Sequence, residues 1–184
     1  MEFVIVIPAL IAFVWAFLRS PGHALTDIYV PVLCLAPLTY QLTIQQLPEL
    51  TFDRAAILMV ALASALLGGI GWRFSLVDLG VLLYVGALCA SELINNGLAQ
   101  AQSLLFFLLA TAVLPYVLAK RYLGEPDFQF RFARLLVLLL AFIAVVSLFE
   151  FRLGLNFFRT VPGAMFPGQA VPRIFAQYRL GYER

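Results

Sequence analysis

The sequence predicts an all-α fold, a polytopic transmembrane helical bundle of about six spans with an irregular extracytoplasmic tail. Composition is the first observation behind it: of 184 residues, 63% are hydrophobic and only 12% charged, with a mean hydropathy of +0.97. Soluble domains are about 45–50% apolar and about 25% charged, so a water-soluble globule is excluded. A disordered chain is excluded too, because low hydrophobicity and high charge are what keep a chain unfolded. Spacing is the second observation. The charges leave uncharged runs at 3–18, 28–48, 55–72, 79–91, 93–119 and 135–149, and a helix needs about 17–25 residues to cross the hydrocarbon core.

The first span, 3–18, resembles a signal peptide only in its apolar run. Glu2 stands where a basic n-region belongs, and the first cation, Arg19, follows the run. The second, about 28–46, contains Pro31 and Pro37, each of which removes a backbone donor and should kink the helix. Its end, Thr39 to Gln46, is polar enough to be interfacial. In the third, about 54–72, Ala61, Ala65 and Gly69 form a small-residue stripe where another helix can approach. Gly68-Gly69-Ile70-Gly71 then loosens the helix before Trp72, an interfacial anchor. The fourth, about 74–94, requires Asp78 to lie one turn inside. Asn95-Asn96-Gly97 is a tight turn, with Asn and Gly supplying positive φ cheaply, and it leads into the fifth, 98–119. Gly124-Glu125-Pro126-Asp127 marks a longer loop. The sixth spans about 132–152 once Arg134 and Arg152 snorkel toward the interfaces. Residues 1–152 thus form the bundle, and 153–184 begin an extracytoplasmic loop.

Twelve Lys+Arg against ten Asp+Glu give +2, too balanced for a nucleic-acid partner. With six spans, Arg19, Arg73, Lys120, Arg121, Arg131 and Arg134 fall on one face, whereas Arg54 alone marks the short loops of the other. The first face is expected to be cytoplasmic. The N-terminus, the 95–97 turn and the tail then face outward.

No GxGxxG, Walker loop, HExxH or GxSxG is present. Cys34 and Cys89 are isolated within apolar runs and carry no metal or redox signal, so neither metal nor cofactor is expected. His23, the lone histidine, sits in Ser20-Pro21-Gly22-His23 and reads as a solvated turn residue. The acids near the membrane are more informative. Asp78, Glu92 and Glu150 lie within or at the ends of spans, where ionisable groups are costly and face a bundle interior or water. Asp78 after Ser75 also reads as a helix cap. Glu92 and Glu150 read equally as interhelix bonds or as functional acids. The two-residue separation of Glu150 and Arg152 points them to different helix faces. The tail spaces Pro162, Pro167 and Pro172 five apart, with Phe157, Phe158, Phe166, Phe175, Tyr178 and Tyr182 among Arg159, Arg173, Arg179 and Arg184. Such a segment suits the membrane interface. Its guanidinium forks match phosphate oxygens, and plain attraction to lipid headgroups is the alternative.

Several stretches together resemble the O-antigen ligase and polymerase family of bacterial envelope enzymes. They are Asp27-Ile28-Tyr29-Val30-Pro31-Val32-Leu33, Phe74-Ser75-Leu76-Val77-Asp78 and Leu114-Pro115-Tyr116-Val117-Leu118, with Phe149-Glu150-Phe151-Arg152-Leu153-Gly154-Leu155-Asn156-Phe157-Phe158 and Arg179-Leu180-Gly181-Tyr182-Glu183-Arg184. The likeness implies a multi-pass protein of the bacterial inner (cytoplasmic) membrane with its tail extracytoplasmic. It would accept a glycan from undecaprenyl pyrophosphate and pass it to lipid A-core (ligase) or to another glycan (polymerase), among membrane lipids. Family members are about twice this length and carry a histidine in a large outward loop. The tail here has none, so the sequence is expected to be an N-terminal fragment, inactive alone. Arg152, Arg159, Arg173, Arg179 and Arg184 are the expected diphosphate or glycan contacts, with Glu92 and Glu150 orienting them or the acceptor hydroxyl. A transporter or flippase fragment and a structural membrane subunit are the rival expectations. Against the transporter, no pair of matching broken segments is evident.

Overall fold

The computed structural model describes residues 2–36, 41–42, 50–68 and 74–153. Nearly all of these are helical. A 3₁₀ turn, Glu2–Ile5, leads into α1, Val6–Leu18. The next helix, α2, runs through residues 21–35 as Pro21–Ala24, a π segment Leu25–Tyr29, and Val30–Leu35. Two short strands, β1 (Gln41–Leu42) and β2 (Leu50–Thr51), pair antiparallel. Then come α3 (Phe52–Leu66), α4 (Leu76–Asn96), α5 (Leu98–Tyr122) and α6 (Pro126–Leu153). A second π segment, Leu109–Val113, lies inside α5. Three of these helices, α4, α5 and α6, are long and apolar enough to cross a membrane.

Local chemistry sets the boundaries. Ser20 caps α2, its hydroxyl accepting from the His23 backbone N–H at 3.3 Å, and Pro21 at the first helical position forfeits a donor that would be unpaired anyway. Ser75 and Asp78 form a capping box at the start of α4, satisfying two orphan N–H groups. Gly97, at φ +88°, is the single residue between α4 and α5, a conformation that a side chain disfavours. Pro126 and Asp127 open α6 as helix-start chemistry favours.

The second helix departs from expectation. It begins at Pro21 rather than near 28 and ends at Leu35. The capped Ser20-Pro21 start recruits the 21–27 stretch, and Ala36 turns extended just before Pro37, which disfavours α geometry in its predecessor. Gln41–Leu42 is strand, not helix. The third helix starts at Phe52 and stops at Leu66, because Gly68 at φ +152° ends the run.

The core is built of small residues. Ala9, Ala12 and Ala16 of α1 and Ala55, Ala56, Val60 and Ala63 of α3 are all buried, and α1 and α3 pack along their lengths. Of the expected stripe, Ala61 is buried and Ala65 exposed, and Gly69 lies outside the described residues. Strict four-residue spacing drifts off a face that turns every 3.6 residues, and Ala56, Val60 and Ala63 follow the true contact line. Against this pair lie Tyr29 and Val30 of α2, Ala110 and Leu118 of α5, and Leu139 of α6.

Candidate functional site

The polar side chains gather at the two ends of the helices. At the end formed by the 19–20 and 123–125 turns, two carboxylates tie helices together: Asp78 joins α4 to α5, and Asp27 joins α2 to α6 and α1. Asp78, with no side-chain surface exposed, accepts from four donors. Two belong to Ser75: its N–H, and its hydroxyl at 3.1 Å. The others come from α5: the Tyr116 hydroxyl at 2.7 Å, and the Lys120 ammonium at 2.8 and 2.6 Å. A buried charge without such partners would be costly. Asp78 is therefore both the helix cap and an interhelix tie from α4 to α5.

Asp27, within the first π segment, receives Arg131 of α6 as a fork, Nε at 3.0 Å and Nη2 at 2.7 Å. Trp15 of α1 adds its indole N–H at 3.4 Å. Arg19 stacks over the Trp15 ring, 5.1 Å from its centroid. Ser64 of α3 and Tyr122 of α5 share a hydrogen bond of 2.7 Å. His23 is not a bare solvated residue: its Nδ1 shares a 2.8 Å hydrogen bond with Ser20, and its ring meets Phe128 edge-on at 5.0 Å. Local capping and a ring from a distant helix hold it in place. Arg19, Lys120, Arg121 and Arg131 thus share one end of the bundle.

The other end, around the 95–97 turn, carries a second set of side chains. Glu92, half-buried, accepts from Asn96 of its own helix at 2.8 Å. Glu150, half-buried, and Arg152, exposed, occupy the last turns of α6, which runs back in the same direction as α4. Arg54 opens α3 with its guanidinium 4.7 Å from the centre of the Phe107 ring of α5. Thr51 donates to the neighbouring Asp53 carboxylate at 2.5 Å. Arg159, Arg173, Arg179 and Arg184 lie outside the described residues. Among the described residues, no three His, Cys, Asp or Glu side chains come together to hold a metal.

Two features escaped the sequence reading. The partners of Asp78 and Asp27 on α5 and α6 lie 38 to 104 residues away, beyond any local pattern. The π segments are the other: helices α2 and α5 stay continuous, but each contains a five-residue π segment, with Pro31 or Pro115 two positions after it. Each also carries a threonine bonded back to the preceding turn: Thr26 to the Gly22 carbonyl at 3.2 Å and Thr111 to the Phe107 carbonyl at 2.7 Å. The paired prolines were the available signal.

No protein-family model, curated protein or solved structure matches the chain. What the fold and its polar ends define is a helical protein of membrane character, with ionic fasteners at one end.

Proposed function

We propose that the chain is part of a membrane glycosyltransferase resembling the O-antigen ligases. It transfers a glycan from undecaprenyl pyrophosphate to an acceptor such as lipid A-core at the outer face of the bacterial inner membrane. A polymerase passing the glycan to another repeat unit fits the same chemistry. The observation that carries this reading is how the family-like stretches are used. Phe74–Asp78 and Leu114–Leu118 meet through the Tyr116–Asp78 bond, and Asp27–Leu33 is fastened by Arg131. Stretches far apart in sequence cohere as one scaffold, which supports a shared architecture rather than chance similarity.

In this reading the basic, fastened end faces the cytoplasm, following the bias of Lys and Arg. Glu92, Glu150 and Arg152 then stand at the outer leaflet, where the tail arginines join them. Transfer from a lipid pyrophosphate places negative charge on the departing diphosphate, and preorganised cations there are commonly the largest catalytic contribution. Arg152, Arg159, Arg173, Arg179 and Arg184 would hold the diphosphate or glycan, with Glu92 and Glu150 orienting them or the acceptor hydroxyl.

The test is transfer in cells expressing the intact reading frame. Arg179→Ala or Arg184→Ala should lower glycan transfer by about 100-fold or more while membrane insertion is unchanged. Full transfer by both variants rejects the assignment, and a cytosolic reporter at position 160 rejects the orientation. Translocation of a lipid-linked glycan without transfer would instead favour a transporter or flippase.

A further inference from the structure

Helix α5 changes partner where its geometry changes. Its first half, Leu98–Leu108, packs chiefly on α4, whereas the π segment Leu109–Val113 and the following Leu114–Tyr122 pack on α3. At the changeover three causes of helix bending coincide. The π segment widens the turn. Pro115 has no N–H to offer the Thr111 carbonyl four residues back, and the Thr111 hydroxyl bonds to the Phe107 carbonyl one turn earlier. Helix α4 has its own fastening just past this point, because Asp78 is held by Tyr116 and Lys120. Arg54 of α3, stacked over Phe107, ties the first half of α5 to α3. A π joint, a fixed point beside it and a contact across the gap thus surround the unit formed by α4 and Leu98–Leu108.

We infer that this unit is a swinging hairpin. The Leu109–Val113 segment is its hinge, the Asp78 carboxylate between Tyr116 and Lys120 is its pin, and Arg54 over Phe107 is its catch. When the catch opens, the 95–97 turn and Glu92 move away from the start of α3, and a cleft opens there beside the Arg54 guanidinium. The fastened end stays still. The second π and proline unit, in α2, has the same neighbour: Asp27 inside the segment is bound to Arg131, so that π segment too sits beside an ionic contact. The device goes beyond glycan transfer and does not depend on it.

Distances between spin labels in the full chain, reconstituted in lipid nanodiscs with Cys34→Ala and Cys89→Ala, test it. Ile7→Cys with Ile94→Cys reports the moving end; both positions are exposed, as are Leu18 and Phe130, whose cysteine pair reports the fastened end. The expected result is two distance populations for the first pair and one for the second. Arg54→Gln should enrich the longer population at least twofold. Pro115→Ala, which restores a backbone donor, should collapse the two into one. A single distance for the first pair that Arg54→Gln leaves unchanged overturns the proposal. So does a split that Pro115→Ala leaves intact, or an equal split at the fastened end.

Discussion

Asp78 does two jobs with one carboxylate, and the asymmetry of its partners sets what substitution does. Its own side chain is fully covered, whereas Lys120 keeps about a third of its side-chain surface exposed. Removing the lysine strands a buried anion, while removing the charge of Asp78 leaves a cation that can still reach water. Lys120→Met should therefore lower the thermal unfolding midpoint in detergent more than Asp78→Asn, and the double variant should recover part of the loss. The Ser64–Tyr122 bond is the neutral counterpart. Tyr122→Phe leaves the 2%-exposed Ser64 without that partner and should cost about 0.5–1.5 kcal/mol, the scale of interhelical hydrogen bonds in membranes. The Asp27–Arg131 fork is more exposed on its arginine side, 41% against 19%. A double-mutant cycle there should return a coupling of about 1 kcal/mol or less.

The element scale shows what a single sequence yields and what it withholds. The 76–96 helix is readable from its apolar run, from Ser75 and Asp78 at its start and from Asn95-Asn96-Gly97 at its close, because each of those signals acts within four residues. Helix α2 was displaced by several residues because the start signal at Ser20-Pro21 competes with an apolar run beginning later, and local capping won. Of the expected small-residue stripe Ala61 is buried and Ala65 is not, while Ala56, Val60 and Ala63 are buried as well, since only packing against α1 fixes which face turns inward. The candidate acids Glu92 and Glu150 were legible as helix-end residues. The ties of Asp78 and Asp27 were not, for they depend on which helices become neighbours. At this scale Ala56→Leu should wedge α1 from α3 and cost about 1–3 kcal/mol by overpacking, measured by denaturant titration in micelles. Gly97→Ala, forced to adopt φ +88°, should cost about 1 kcal/mol or more.

Across the whole molecule, direction matters more than any one contact. Helices α4, α5 and α6 succeed one another through turns at 97 and 123–125, and they measure about 31, 37 and 42 Å at 1.5 Å per residue for 21, 25 and 28 residues. Each exceeds the hydrocarbon thickness of about 30 Å, long enough for the two turns to reach opposite sides of a bilayer. Asn96→Cys and Gly124→Cys, labelled with a membrane-impermeant maleimide in intact cells, should react from opposite sides. Labelling of both from outside would sink the arrangement.

The one-residue connection at Gly97 has a consequence for biosynthesis. Neither arm of that hairpin can cross alone while its sister waits in water, since no slack exists to span the difference, and the backbone at the apex has to be carried through the oily interior as the pair goes in. Where both arms cross a bilayer, they enter the lipid as a single event. A long hydrophilic insertion at position 97 would uncouple them, turning one concerted step into two.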